Sequence, residues 1–279
     1  MNIENILKES NQKLNKAVKN ANLDSELLLS KTIKKSREYI MLHPKRNLGT
    51  KHINIFNNLV KKRKKGEPVA YLTNKKEFWK EVFYVDKNVL IPRPETEILV
   101  ENVIKFTKVD SKLHILDIGT GSGCILLSIL KERTNFSGTG IDISKKSIKI
   151  SKYNAKKLQL SKRSKFYISD VDNFLFGKYD VIVSNPPYIE DYTLKYLDKG
   201  VTGFEPKVAL KGGKDGLLEI TKVINGASRL IKKNGLFVLE IGYNQKNKVV
   251  GILKKKGFYI IDKLKDYSKH DRCIISKKI

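Results

Sequence analysis

Sulfur and histidine are scarce in this chain. Of 279 residues two are cysteine, Cys124 and Cys273, and four are histidine, His43, His52, His114 and His270. Cysteines so far apart make neither a disulfide framework nor a zinc site, and scattered histidines offer no metal cluster. A reduced, cytoplasmic protein without a metal is expected. Long apolar runs are missing as well: no segment reaches the roughly 20 residues that cross a bilayer. Met1-Asn2-Ile3-Glu4-Asn5 has neither the basic nor the apolar section of a secretory signal, so no membrane role is expected. No internal repeat and no disordered tail is evident.

Acidic residues are also in short supply. Twenty-nine of them face 56 lysines and arginines, a formal net charge of +27. A chain this basic suggests nucleic acid, yet only eight of the 56 are arginine, the better phosphate fork. The lysines are spread along almost the whole length, with one dense cluster, Lys61-Lys62-Arg63-Lys64-Lys65. Two readings stand: a compositional bias at surface positions, or attraction to an acidic protein partner or to ribosomal RNA near it. Nucleic acid is not required by either. At 279 residues with 40% hydrophobic content the chain suits one large or two smaller soluble domains.

What is present is chemically specific. Asn185-Pro186-Pro187-Tyr188 follows the apolar run Tyr179-Asp180-Val181-Ile182-Val183-Ser184. An amide or aromatic amine nitrogen is a poor nucleophile, because its lone pair is delocalised. A carboxamide oxygen from Asn185 and the backbone carbonyl of Pro186 would each accept one of its N–H bonds and aim the lone pair at an electrophile. Proline removes an N–H and stiffens the turn, and Tyr188 would give a flat wall to a planar group.

Upstream, Leu113–Ile118 reads as a buried strand, Gly119-Thr120-Gly121-Ser122-Gly123 as a turn and Cys124–Leu130 as a helix, the opening of an open α/β sheet. The sixth position of a dinucleotide fingerprint is Cys124 rather than glycine, and no Gly-Lys-Ser/Thr cradles a phosphate. The ligand therefore carries no pyrophosphate. Asp142 ends a second predicted strand where an acid holds a ribose diol. A third, Lys165–Ile168, ends in Ser169-Asp170; Asp170 would accept from an adenine amine, and Val171 would cover the ring. This order favours S-adenosylmethionine, with Gly119, Thr120, Gly121, Ser122, Gly123, Asp142, Asp170, Val171 and Asn185 around it. The chain reads as a methyltransferase.

Residues 1–70 read as three short helices making a small recognition bundle. Ile3, Ile6, Leu7 and Leu14 share one face. A second run opens at Asp24-Ser25-Glu26, packs Leu27, Leu28, Ile33 and Tyr39-Ile40, and ends at His43-Pro44. A third covers Thr50 to Lys65, with Ile53, Phe56, Leu59 and Val60 inward. Residues 71–94 are expected to form a linker with a β-hairpin through Phe78, Val82, Phe83 and Val85, and Phe78 and Trp79 to be core. Residues 95–279 alternate strand and helix, the catalytic domain, closing with strands at Phe258–Ile261 and Arg272–Ile275. Arg93, Glu95 and Thr96 either shape a substrate entrance or are structural, Thr96 capping a helix with Glu97 in its first turn.

Several stretches together resemble the release-factor glutamine methyltransferases, the PrmC/HemK family. They are Gly66-Glu67-Pro68-Val69-Ala70-Tyr71-Leu72, Glu77-Phe78-Trp79, Ile91-Pro92-Arg93-Pro94-Glu95-Thr96-Glu97, Leu116–Ile125, Asn185–Ile189, Phe204-Glu205-Pro206, Gly213–Leu217 and Leu239-Glu240-Ile241-Gly242. Asn74 stands where the family usually has glycine, and asparagine best tolerates the positive φ of such a turn. His270 also departs from the family's glycine. The resemblance implies a class I, Rossmann-like methyltransferase fold: a mostly parallel sheet with a reversed strand near its edge, plus the N-terminal helices. It also implies the reaction, methyl transfer from S-adenosylmethionine to the glutamine of a Gly-Gly-Gln loop in peptide chain release factors. The substrate would lie against Asn185, Pro186, Pro187 and Tyr188, and the enzyme would be a monomer. A ribosomal-protein glutamine or an adenine amine of RNA or DNA is the alternative substrate.

Overall fold

The computed structural model describes residues 1–279, the side chain of Lys199 excepted. It divides into two compact units, Met1–Lys75 with Asp198–Phe204, and Lys76–Leu197 with Glu205–Ile279.

The first unit is helical: α1 (Ile3–Leu14), α2 (Ala21–Ile33), α3 (Arg37–Leu42), α4 (Thr50–Lys64) and α5 (Val69–Thr73). Asn2 caps α1 by accepting from the Asn5 N–H at 2.9 Å. Ile3, Ile6, Leu14, Leu28, Leu29, Ile40, Phe56 and Val60 form its core. Three expected helices are therefore five. The run expected from Asp24 to His43 begins earlier, at Ala21, and breaks at Lys34, which takes a left-handed φ of 54°. Ser36 then restarts the helix, its hydroxyl accepting from the Tyr39 N–H. Neither glycine nor proline marks that break. Asp24 is more than a helix opener: its carboxylate takes Arg63 Nε at 2.6 Å, so one member of the basic cluster points inward. Asn74 does adopt the left-handed turn, at φ 57°.

The second unit opens with a hairpin, β1 (Lys76–Phe78) and β2 (Glu81–Phe83), turned at Trp79 with φ 57°. Phe78 is fully buried, and Trp79 packs half-buried against the same core. Then follow α6 (Glu97–Phe106), β3 (His114–Ile118), α7 (Cys124–Glu132), β4 (Ser137–Asp142), α8 (Lys145–Lys157), β5 (Ser164–Ile168) and β6 (Tyr179–Ser184). After α9 (Lys199–Thr202), which groups with the first unit, come α10 (Leu218–Leu230), β7 (Ile231–Glu240), α11 (Lys246–Lys255), β8 (Phe258–Lys265) and β9 (Asp271–Lys278). The seven-stranded sheet has the order β5-β4-β3-β6-β7-β9-β8, parallel except for β9, which runs against both its neighbours.

Strand alternation sorts the core onto two faces. Ile115, Val181, Val183, Leu236, Val238 and Ile275 look one way, onto the side covered by α6, α7 and α8. Leu116, Ile182, Phe237, Leu239 and Ile274 look the other, onto α10 and α11. Phe237 is fully buried on β7 with its ring 5.4 Å from that of Phe258. Phe237→Ala should cost about 3–5 kcal/mol of stability, read as a lower urea midpoint with an unchanged slope; a loss under 1 kcal/mol would mean the sheet relaxes around the cavity.

Candidate active site

Because β5, β4, β3 and β6 are parallel, their C-terminal ends share one edge of the sheet. Chain order reverses between β3 and β6, and ligands of open α/β sheets bind at such a point. A cavity of about 590 Å³ opens there. Gly119 and Gly121 line it after β3, Asp142 and Ile143 after β4, Asp170 and Val171 after β5, and Asn185, Pro186 and Pro187 after β6. Asn88, Val89 and Leu90, the loop from Pro206 to Gly213, and Leu218, Glu219 and Lys222 of α10 complete the wall.

The turn after β3 is built on left-handed residues. Gly121, at φ 55°, donates its N–H to Asp142 Oδ2 at 2.9 Å, while Asp142 Oδ1 takes the Ser144 N–H at 2.8 Å. Burial raises the Asp142 pKa and these bonds oppose it. Asp170 Oδ1 accepts from the Asp172 N–H at 3.0 Å. Thr120, Ser122 and Gly123 do not line the cavity among the described residues. Thr120 is buried with its hydroxyl on Asp117 Oδ2 at 2.6 Å, the Ser122 carbonyl takes Asn154 Nδ2 at 2.9 Å, and Gly123 precedes the first turn of α7. Each of these contacts helps to hold the turn.

Asp117 itself was read only as strand. It is fully buried, its Oδ1 has no hydrogen-bond partner among the described residues, and desolvation pushes its pKa up to about 7 against the Thr120 bond. Two acids at successive strand ends, with apolar Leu90, Ile141 and Val171 on the cavity wall, suit a ligand with hydroxyls and a planar base.

Around Asn185 the sequence reading was incomplete. Thr96 precedes α6 but makes no capping bond; its Oγ1 instead accepts from Asn185 Nδ2 at 3.0 Å. This corrects the capping alternative. Arg93 ion-pairs with Glu205 Oε1 at 2.6 Å, and Glu205 Oε2 takes the Ile91 N–H at 3.1 Å. The Pro-Arg-Pro-Glu-Thr stretch and the Ile91 before it are thereby pinned to Glu205. Tyr188 does not line the cavity among the described residues. Its hydroxyl donates to Glu240 Oε1 at 3.2 Å and accepts from Arg272 Nη1 at 3.2 Å, and burial raises its pKa. The expected substrate wall is thus a packed, bonded phenol.

Gln245 was missed entirely. Its Nε2 donates to the carbonyls of Tyr188 at 3.0 Å and Gly216 at 3.1 Å, and its Oε1 takes the Gly242 N–H at 2.8 Å. Gly216, at φ 70°, must be glycine, since a Cβ would lie 2.4 Å from the Tyr188 carbonyl. Asn154, equally unflagged, ties the Ser122 carbonyl to both backbone groups of Tyr84.

Strand-end acids around a glycine turn, with Asn-Pro-Pro beside them, define an S-adenosylmethionine-dependent methyltransferase. Residues 109–270 match the family model described as a methyltransferase domain, and residues 5–73 match the PrmC N-terminal domain. The release factor glutamine methyltransferase of Buchnera aphidicola (subsp. Acyrthosiphon pisum) is 38% identical over 100% of this chain and 99% of its own length. That of Caulobacter vibrioides is 37% identical over 92% and 89%. Among solved structures, a ribosomal protein L11 methylase from Lactobacillus delbrueckii subsp. bulgaricus superposes with a TM-score of 0.51 at 20% identity, over 73% of this chain and 91% of that one. A methyltransferase from Pyrococcus furiosus gives 0.52 at 17%, over 70% and 88%; both show the fold. The chain belongs to the family of release factor glutamine methyltransferases. No helix among the described residues is long and apolar enough to cross a membrane.

Two stability measurements test this wiring. Glu205→Ala strands Arg93 and the Ile91 N–H and should cost about 2–3 kcal/mol in urea denaturation, less than a wholly buried pair because Arg93 is a third exposed; an unchanged midpoint would remove the anchor. Asp117 titrates at about 7 when folded, above its unfolded value of about 4. The native chain then holds the extra proton between those values, and this group's contribution to stability falls as pH rises through that window. Without cofactor, Asp117→Asn should gain on the wild type between pH 5 and 8. A pH-independent difference would place the Asp117 pKa in the ordinary range.

Proposed function

We propose that this chain methylates the side-chain amide nitrogen of the glutamine in the Gly-Gly-Gln loop of peptide chain release factors, which would place its work in the cytoplasm. The carrying observation is Asn185 at the end of β6, on the cavity wall, with its Nδ2 already held by Thr96. Its oxygen is then the end available to an incoming NH2 group. S-adenosylmethionine, when bound, supplies the sulfonium methyl group and leaves as S-adenosylhomocysteine. Asp142 would accept its ribose hydroxyls, Asp170 its adenine amine, and Val171 would lie against the ring.

Asn185 Oδ1 and the Pro186 carbonyl would each take one amide hydrogen of the glutamine, favouring the form with the lone pair directed at the methyl carbon. The nitrogen attacks, the S–C bond breaks, and its electrons return to sulfur. One proton then leaves a nitrogen that methylation has made acidic, so the site needs acceptors in place rather than a strong base. Pro186 is buried and Pro187 half-buried, which keeps the turn stiff. A net charge of +27 would speed encounter with an acidic partner surface.

Purified protein with labelled S-adenosylmethionine should label an unmethylated release factor and leave its Gln→Ala loop variant blank. Asn185→Ala should lower kcat by a factor of about 10²–10³, or roughly 3 kcal/mol, the cost of one preorganised bond. Label on RNA with none on either factor would overturn the glutamine assignment in favour of an adenine amine.

A further inference from the structure

His270, which departs from the family's glycine, plays no part in that scheme. It lies in the turn joining β8 to β9, and the sheet brings that turn to the edge that carries Asn185. β7 runs parallel to β6, with Leu239 level with Ser184, so both strands end on the same side. β9 runs the other way, with Cys273 level with Glu240, so it begins where they end. Three exposed rings stand on these segments. Tyr243 follows β7 with 64% of its surface exposed, Tyr267 is wholly exposed in the turn, and the His270 ring lies 5.8 Å from that of Tyr243.

The backbone that bears these rings is held in place. Asp266 Oδ1 accepts from the Ser268 and His270 N–H groups at 2.9 and 3.0 Å, and its Oδ2 takes Arg272 Nε and Nη2, both at 3.0 Å. Arg272 Nη1 reaches on to the Tyr188 hydroxyl at 3.2 Å. Gln245 accepts from the Gly242 N–H and donates to the Tyr188 carbonyl, so the segment bearing Tyr243 is fastened as well. Both segments are thus tied to the tyrosine of Asn-Pro-Pro-Tyr. The two acids of the turn are engaged internally, Asp266 by Arg272 and Asp271 by Lys246 at 2.7 Å, while Lys265 and Lys269 are exposed in the same turn region. Rigidly mounted aromatics lose little freedom on binding and anchor protein contacts, and the positive surround selects an acidic partner.

We propose that this rim is a docking surface for the stretch of substrate polypeptide flanking the methyl-accepting glutamine, and that the flank it takes is acidic. The proposal rests on the glutamine reading above and adds a second contact to it. Neighbouring strands lie about 4.8 Å apart, so the step from the end of β6 past β7 to β9 is about 10 Å. About three extended residues span that distance, which puts the flank roughly three to five positions from the glutamine. The rim adds affinity without touching the reacting groups. Such a contribution lowers KM for the protein substrate and leaves kcat alone.

The test uses the full chain with S-adenosylmethionine and an unmethylated release factor. Tyr243→Ala combined with Tyr267→Ala should raise the KM for the factor about 10-fold, with kcat and the KM for S-adenosylmethionine within about 2-fold of wild type. Lys265→Glu combined with Lys269→Glu should also raise that KM and weaken its dependence on salt. These side chains are exposed, so the urea midpoint should stay where it is. Binding is read separately and needs no turnover: the factor is titrated into protein saturated with S-adenosylhomocysteine. An unchanged Kd in the double-tyrosine variant, or no binding to the wild type, would overturn the docking surface. If the factor is not methylated and its Kd still rises in that variant, the surface stands and the glutamine reading falls. If the factor is methylated with KM and Kd both unchanged in the variant, the surface falls and the glutamine reading survives.

Discussion

Parallel pairing of β3 with β4 on one side and with β6 on the other is the constraint on which the rest depends. Parallel strands deliver their C-terminal ends to a single edge, and a reversal of chain order at β3/β6 leaves a gap there that no crossover helix covers. Gly119, Gly121, Asp142, Asp170 and Asn185 are therefore neighbours although they span residues 119 to 185. The price of that arrangement is a row of loops that must be held in place by something other than the sheet.

Several of the holding groups are buried and polar. Glu205 ties the Ile91–Arg93 approach to the chain beyond β6, Gln245 joins the Tyr188 and Gly216 carbonyls, and Arg272 spans Asp266 and the Tyr188 hydroxyl. Each satisfies backbone or charged groups that would otherwise be stranded in a poorly solvated place. Motifs widely separated in sequence are thus halves of single contacts: Pro-Arg-Pro-Glu-Thr with Phe-Glu-Pro, and Asn-Pro-Pro-Tyr with both Gly-Lys-Asp-Gly-Leu and Leu-Glu-Ile-Gly.

Strand positions and the residues at their ends were legible in the sequence, because period-2 burial and glycine or acid at a strand terminus are local signals. The reversed β9 was implied by the family resemblance alone, whereas the left-handed Asn74 was legible from its residue type. The break at Lys34 was not, since a left-handed lysine carries no compositional mark. Nor was the short helix α5 that starts beyond Pro68. Local reading also left open side chains whose partners are remote: Thr96 could shape an entrance or cap a helix, and its partner lies 89 residues away. Gln245 and Asn154 look like ordinary surface amides until the chain is folded around them. Tyr188 reads as an aromatic wall because nothing nearby announces Arg272 or Glu240.

The antiparallel insertion of β9 has a consequence for the order in which the molecule can be made. Until Asp271–Lys278 has been synthesised, β7 lacks its outer neighbour and β8 has no strand to join. Glu240 then sits at the end of an unfinished edge, and Tyr188 lacks the guanidinium of Arg272. A nascent chain that has already made its glycine turn and its N-terminal helices still has an open sheet edge at β7. The outer part of the sheet is thus closed by the strand that emerges last among those that build it.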